Sequence, residues 1–262
     1  MLVDTHCHLD FLTQPLESLQ RAQAAGVAGL VLPAVEPGNF SRVRHWSHRL
    51  PGGVFALGLH PCSLDRLGDD ALALLKTELL AVRADPRLAA VGEIGLDFFV
   101  PGLDRTRMTQ LFHDQLRLAR EFDLPVVLHV RRAQDPVLAG LRRFGIRRGI
   151  AHAFNGSLDQ AKAYRRQGIH LGLGGAITFT RASRIRRLAQ QMPLEAFVLE
   201  TDSPDIPPAW LASGQENTPQ EVRGVAQCIA ELRGQTFDSV ASVSTQSACE
   251  ALPALRPLLA VR

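Results

Sequence analysis

The sequence predicts an α/β protein of the (β/α)8 TIM barrel class, folded as a single domain over residues 1–262. Three observations carry this. Eight short apolar or β-branched runs alternate with longer helix-patterned stretches. The 262 residues match the roughly 250 that eight such units occupy in one barrel. Residues able to do chemistry recur at the far ends of the runs, where a barrel gathers them.

The strand candidates are residues 2–5, 29–34, 54–59, 89–95, 126–130, 149–153, 170–174 and 196–201. Helical spacing separates them: Leu16, Leu19, Ala22 and Ala25 share one face, as do Ala71, Leu74, Leu75, Leu79 and Val82. Leu111, Gln115, Leu118 and Phe122 continue the pattern through residues 108–122. Ser157 followed by Gln160 opens a helix with a capping box, ahead of Ala161 and Tyr164. Strands separated by helices pair in parallel, because parallel neighbours need a long crossover. An open doubly wound sheet is the alternative, with a glycine-rich phosphate loop after its first strand. Here Thr5-His6-Cys7-His8 stands there instead. The Pro-rich stretch 204–219 reads as a functional loop over the end of the last strand.

Composition excludes several classes. With 46% hydrophobic and 21% charged residues and a mean hydropathy of +0.02, the chain is neither disordered, collagenous nor a disulfide scaffold. Cys7, Cys62, Cys228 and Cys249 have no C-x-x-C spacing, which suits a reducing compartment. No run approaches the roughly 18 apolar residues of a membrane span. The expectation is a cytoplasmic protein with no membrane contact and no obligate protein partner. Only Lys76 and Lys162 are lysines among 29 basic residues. Residues 131–187 hold 12 arginines and Lys162 against only Asp135 and Asp159. Such a block marks either a polyanion-binding face or a set of solvated helix exteriors. Arg131, Arg132, Arg181 and Arg184 follow strand ends, where a phosphate could be reached. Arg131 is the leading substrate contact, two residues past His129 on the same alternating face.

The chemistry clusters. Strand one ends in His6-x-His8, strand three runs into His60, and strand four carries Glu93. Strands five and six end at His129 and His152, and strand eight runs into Glu200-Thr201-Asp202. Each is weak evidence alone; chance gives about 0.3 H-x-H pairs in a chain with nine histidines. Together they imply a metal site, since several imidazoles and carboxylates buried in one place need a compensating cation. His6 and His8 share a strand face while Cys7 points to the other, as a packed thiol. His45, His48, His113 and His170 lie off the site. Five or six donors exceed what one tetrahedral ion takes, so two divalent ions follow, bridged by a carboxylate such as Glu93. Zn²⁺, Mn²⁺, Ni²⁺ and Mg²⁺ all suit this donor set.

VDTHCHLD at 3–10, GLHP at 58–61, GEIGLD at 92–97, LHVRRA at 128–133, AHAFNGS at 151–157 and ETDSP at 200–204 resemble the TatD family of metal-dependent hydrolases, within the amidohydrolase superfamily. The resemblance spans residues 1 to about 235. It implies one ion on His6, His8 and Glu93 and a second on Glu93, His129 and His152. It makes Asp202 a metal ligand and general base, and puts His60 beside the site for substrate phosphate or acid–base work. Many superfamily barrels bridge their ions with a carboxylated lysine. Lys76 and Lys162 both fall in helical stretches, which leaves that role to Glu93. After the last strand the family's usual carboxylate is Gln220 here, with Glu221 next to it to serve instead. The family implies a 3′→5′ deoxyribonuclease on single-stranded DNA. The competing readings are an ester or amide hydrolase, such as a D-aminoacyl-tRNA deacylase, and a non-enzymatic nucleic-acid-binding protein.

Overall fold

The computed structural model describes residues 1–259; Ala260, Val261 and Arg262 of the expected domain lie outside them. Eight strands form one parallel sheet in sequential order: β1 (Leu2–Asp4), β2 (Val27–Pro33), β3 (Gly52–Leu57), β4 (Leu88–Asp97), β5 (Val126–Arg131), β6 (Gly149–Ala151), β7 (Ile169–Leu173) and β8 (Phe197–Leu199). Each strand overlaps one of the eight expected runs. The ends differ by up to two residues, because side-chain pattern does not report where ladder hydrogen bonds stop. The sheet closes where β8 meets β1. Thr5 donates its backbone N–H and its hydroxyl to the Leu199 carbonyl, at 2.9 and 3.0 Å. Asp202 N–H reaches His6 O at 2.9 Å and His8 N–H reaches Ser203 O at 2.8 Å. The seam of the barrel is therefore stitched by the segments that carry His6, His8 and Asp202.

Helices α1 (Pro15–Ala24), α2 (Phe40–Ser47), α3 (Ala71–Val82), α4 (Arg105–Glu121), α5 (Gln134–Phe144), α6 (Leu158–Arg166), α7 (Ser183–Gln191) and α8 (Val222–Arg233) fill the crossovers and cover the sheet. Ser157 and Gln160 form the expected capping box at the start of α6. Residues 204–219 carry little regular structure, and Asp205 and Ile206 among them line the cleft at the mouth of the barrel. Asn217 holds this loop there by donating to the carbonyls of Thr201 and Asp205, at 2.9 and 2.6 Å. No described helix is long and apolar enough to cross a membrane.

Two apolar layers result. The larger lies between sheet and helices. The smaller lies inside the barrel, built from Val3, Val31, Val54, Ala56, Ala90, Val127, Ile150 and Val198. Helices α9 (Phe237–Ala251) and α10 (Leu255–Leu259) complete it from the N-terminal end, with Leu252, Leu255 and Leu259 packed on its small side chains. Filling that end leaves the opposite mouth as the open one, in line with the barrel rule.

His170 on β7 sits off the site, as expected, and is 4% exposed. Neither ring nitrogen has a hydrogen-bond partner, and the Glu250 carboxylate lies 3.7 Å away. Burial, reinforced by the Arg165 guanidinium, pushes the imidazole down from 6.5 to about 3. The folded state thus refuses a proton that the unfolded chain accepts, and its stability falls as pH drops from 6.5 toward 3. Urea denaturation at pH 7 and pH 5 will show His170→Asn losing less stability on acidification than the parent, by about 1.4 kcal/mol per pH unit. Equal losses would contradict this.

Candidate metal centre

Every metal-site residue expected from the sequence meets the others at the open mouth. His6 and His8 lie just past β1, and Glu93 lies on β4. β5 presents His129, while His152 and Asp202 follow β6 and β8. The Glu93 side chain is 2% exposed, and its two oxygens divide the cluster between them. Oε2 faces His6 Nε2 at 3.2 Å and His8 Nε2 at 3.6 Å, with the two imidazole nitrogens 3.3 Å apart. Oε1 faces His129 Nδ1 at 3.1 Å and His152 Nε2 at 2.9 Å, again with the nitrogens 3.3 Å apart. Asp202 Oδ1 reaches His6 Nε2 at 3.5 Å, His8 Nε2 at 3.8 Å and His152 Nδ1 at 3.9 Å.

These spacings test whether the residues fit a metal. Donors about 2.0–2.2 Å from one tetrahedral ion lie about 3.3–3.6 Å from each other. Both triads on Glu93 come close to that spacing. The protonation preferences agree. Burial works to raise the Glu93 carboxyl, yet the surrounding His60, His152 and His6 imidazoles and the hydrogen bond from His129 hold it well below the usual range. Burial works against a proton on His152, but Glu93 and Asp202 push it up to about 10. His129 is likewise raised against its burial, by hydrogen bonds to Asp97 and Glu93. The carboxylates therefore draw positive charge into the space the imidazoles enclose. Protons can supply that charge, and so can a divalent cation.

Hydrogen bonds sort the remaining imidazole from the candidate ligands. His60 Nδ1 accepts the Cys62 N–H at 3.1 Å, which leaves the ring proton on Nε2, 3.2 Å from Glu93 Oε1. Burial lowers its pKa, so the ring is neutral and donates from Nε2. His129 is held the other way. Its Nε2 lies 3.0 Å from Asp97 Oδ2, leaving Nδ1 toward Glu93. Asp97 is fixed in turn by the N–H groups of Phe99 and Val100, at 2.8 and 3.0 Å.

Three supporting carboxylates had no role from the sequence. Asp97 orients His129. Asp4, fully buried, accepts from the His6 and Thr201 amides and from the Thr201 hydroxyl at 2.7 Å, tying the ends of β1 and β8 together. Glu200, also fully buried, accepts the N–H of Ala153, whose φ of +43° turns the chain just past His152. A Cβ at Gly172 would run into the Glu200 carboxylate, and one at Gly95, where φ is +150°, into the His129 carbonyl. A usable signal was present: Asp4 shares strand parity with His6, Asp97 with Glu93, and Glu200 with Asp202.

The cleft above the cluster has a volume of about 1180 Å³. Arg131, Arg132, Arg181 and Arg184 line it, as their positions after strand ends implied, and Arg66 adds a fifth cation. The other arginines of 131–187 lie on α5, α6, α7 or the loop before β6. Cys7 is fully buried in the outer core, as expected. Glu221 does not enter the cleft; its Oε2 accepts the Trp210 indole N–H at 2.6 Å and so secures the loop after β8.

Residues 3–253 match the family model for TatD related DNase. This chain belongs to the TatD family. It is 40% identical to the uncharacterized metal-dependent hydrolase YjjV of Escherichia coli, over 91% of this chain and 93% of that one. It is 33% identical to deoxyribonuclease TATDN3 of Homo sapiens, over 98% of this chain and 97% of that one. The crystal structure of YjjV superposes with a TM-score of 0.90 over 96% of this chain and 98% of that chain. This TatD chain is thus a metal-dependent hydrolase on a (β/α)8 barrel.

Because Asp97 aims the His129 lone pair, Asp97→Asn will weaken metal binding about 10- to 100-fold, measured by chelator competition. Affinity within twofold of the parent would show that His129 needs no such support.

Proposed function

We propose that this hydrolase is a 3′→5′ deoxyribonuclease that removes nucleotides from single-stranded DNA with two divalent ions. The observation that carries the reading is the division of Glu93: each oxygen serves its own imidazole pair at metal-ligand spacing. In this reading His6, His8 and Glu93 would hold one ion, and Glu93, His129 and His152 would hold the other. Asp202 reaches toward both. Zn²⁺, Mn²⁺, Mg²⁺ or Ni²⁺ would serve. When bound, such ions lower the pKa of water and neutralise charge developing on a phosphoryl oxygen.

The chain's own groups supply the rest. Burial raises the Asp202 carboxyl, which suits it to take the proton of the attacking water. Water oxygen bonds to phosphorus as the bond to the leaving oxygen breaks, and the proton passes to that oxygen. His60, with its proton on Nε2 beside Glu93, is placed to steady the phosphate or donate to the leaving group. Arg131, exposed and lining the cleft, supplies a charged contact to the substrate phosphate.

The five cleft arginines and the name of the human relative support a nucleic-acid substrate. The four free thiols support a reducing, cytoplasmic setting.

A 3′-extended, end-labelled oligonucleotide tests the reading. It will shorten stepwise with Mg²⁺ or Mn²⁺, and both chelator and Glu93→Ala will abolish this. Activity surviving both treatments contradicts the reading. Intact DNA alongside hydrolysis of a D-aminoacyl ester would move the reaction to a carbonyl centre. Arg131→Ala will lower kcat/KM about tenfold or more, as expected for a lost charged hydrogen bond. Arg147→Ala, on the loop before β6, will change it less than about twofold.

A further inference from the structure

Among the described residues, seven large hydrophobic side chains are exposed, and only Phe11 and Phe99 of these line the cleft. They are 44% and 45% exposed. Each is pinned to a different half of the donor cluster. Phe11 ends the turn after β1, and its ring lies parallel to His8, with centroids 5.5 Å apart and planes at 24°. His8 belongs to the Oε2 half. Phe99 hangs from Asp97 through its own N–H, and Asp97 holds His129, which belongs to the Oε1 half.

Cations accompany both rings. The Arg42 guanidinium stands 5.7 Å from the Phe11 centroid, steered by Asp10 at 3.6 Å. Those of Arg131 and Arg132 lie over the Phe99 ring, 3.8 and 4.6 Å from its centroid, and swing from the face toward phosphate when a base stacks there. An aromatic face beside a guanidinium is the combination that grips single-stranded nucleic acid: the ring stacks on a base and the cation meets the adjoining phosphate. Duplex bases stay stacked on each other and cannot use such a ring.

We propose that Phe11 and Phe99 are nucleobase-stacking platforms, one for the base on each side of the phosphate bound at the Glu93 cluster. The proposal rests on the nuclease reading and adds to it the origin of single-strand preference. The strand enters with its scissile phosphate over Glu93 and its two flanking bases splayed apart, one on each phenylalanine.

Phe11→Leu and Phe99→Leu keep apolar bulk while removing the ring face; metal content and melting temperature verify each variant. The substrates are a single-stranded oligonucleotide and two versions with a tetrahydrofuran abasic unit on one or the other side of the scissile phosphate. Each variant will lose on the order of tenfold in kcat/KM on the intact strand, chiefly through KM. Each will lose nothing further when the abasic unit replaces the base its ring would hold, whereas the parent will lose that same factor. Variants cleaving within twofold of the parent, or penalties that multiply with both abasic units, overturn the platforms. Cleavage by the parent with indifferent variants overturns the platforms alone. An intact oligonucleotide after incubation with the parent overturns the platforms and the nuclease reading together.

Discussion

A single buried carboxylate organises this molecule. Glu93 has five imidazoles within 3.6 Å of its two oxygens, and water reaches almost none of it. A lone charge in such a place is prohibitively costly, so its neighbours must answer it with hydrogen bonds and positive charge. Four imidazoles do so with nitrogens at ligand spacing. The fifth, His60, is turned by the Cys62 amide to present a proton. The same requirement explains the orientation of the barrel. Five of the eight strands bring their candidate ligands toward the C-terminal mouth, and the opposite end is filled by α9 and α10.

The next ring outward keeps those imidazoles aimed. Asp4 ties β1 to the segment after β8, Asp97 holds His129 from behind, and Glu200 fixes the turn after His152. The seam where β8 meets β1 runs through the same residues, so closing the barrel and assembling the site are one structural event. Asp202 adopts φ of +55°, an unusual conformation for a residue with a Cβ. Its N–H on His6 O and the loop anchored by Asn217 hold it there.

Much of this was legible in the letters, and the reasons are specific. The alternation of short apolar runs with helical spacing exposes a parallel barrel, and the barrel rule alone then groups His6, His8, Glu93, His129, His152 and Asp202. Their convergence follows from topology, which the pattern encodes. Two kinds of detail did not follow. Asp4, Asp97 and Glu200 act through hydrogen bonds to backbone and ring nitrogens, and parity hints at them only after the ligands are known. The two faces of Glu93, and the tautomers of His60 and His129, depend on side-chain rotation that no spacing rule reports. Charge was the least informative signal: thirteen cations in residues 131–187 reduce to four in the cleft. Arg66, outside that block, joins them because the turn after β3 brings it to the mouth.

Both proposed ions depend on Glu93. Native mass spectrometry of protein reconstituted with saturating Mn²⁺ or Zn²⁺ counts them directly. Two ions per parent chain, and no more than one in a folded Glu93→Gln variant, is the result predicted. A single ion in the saturated parent, or two ions held equally well by Glu93→Gln, would contradict it.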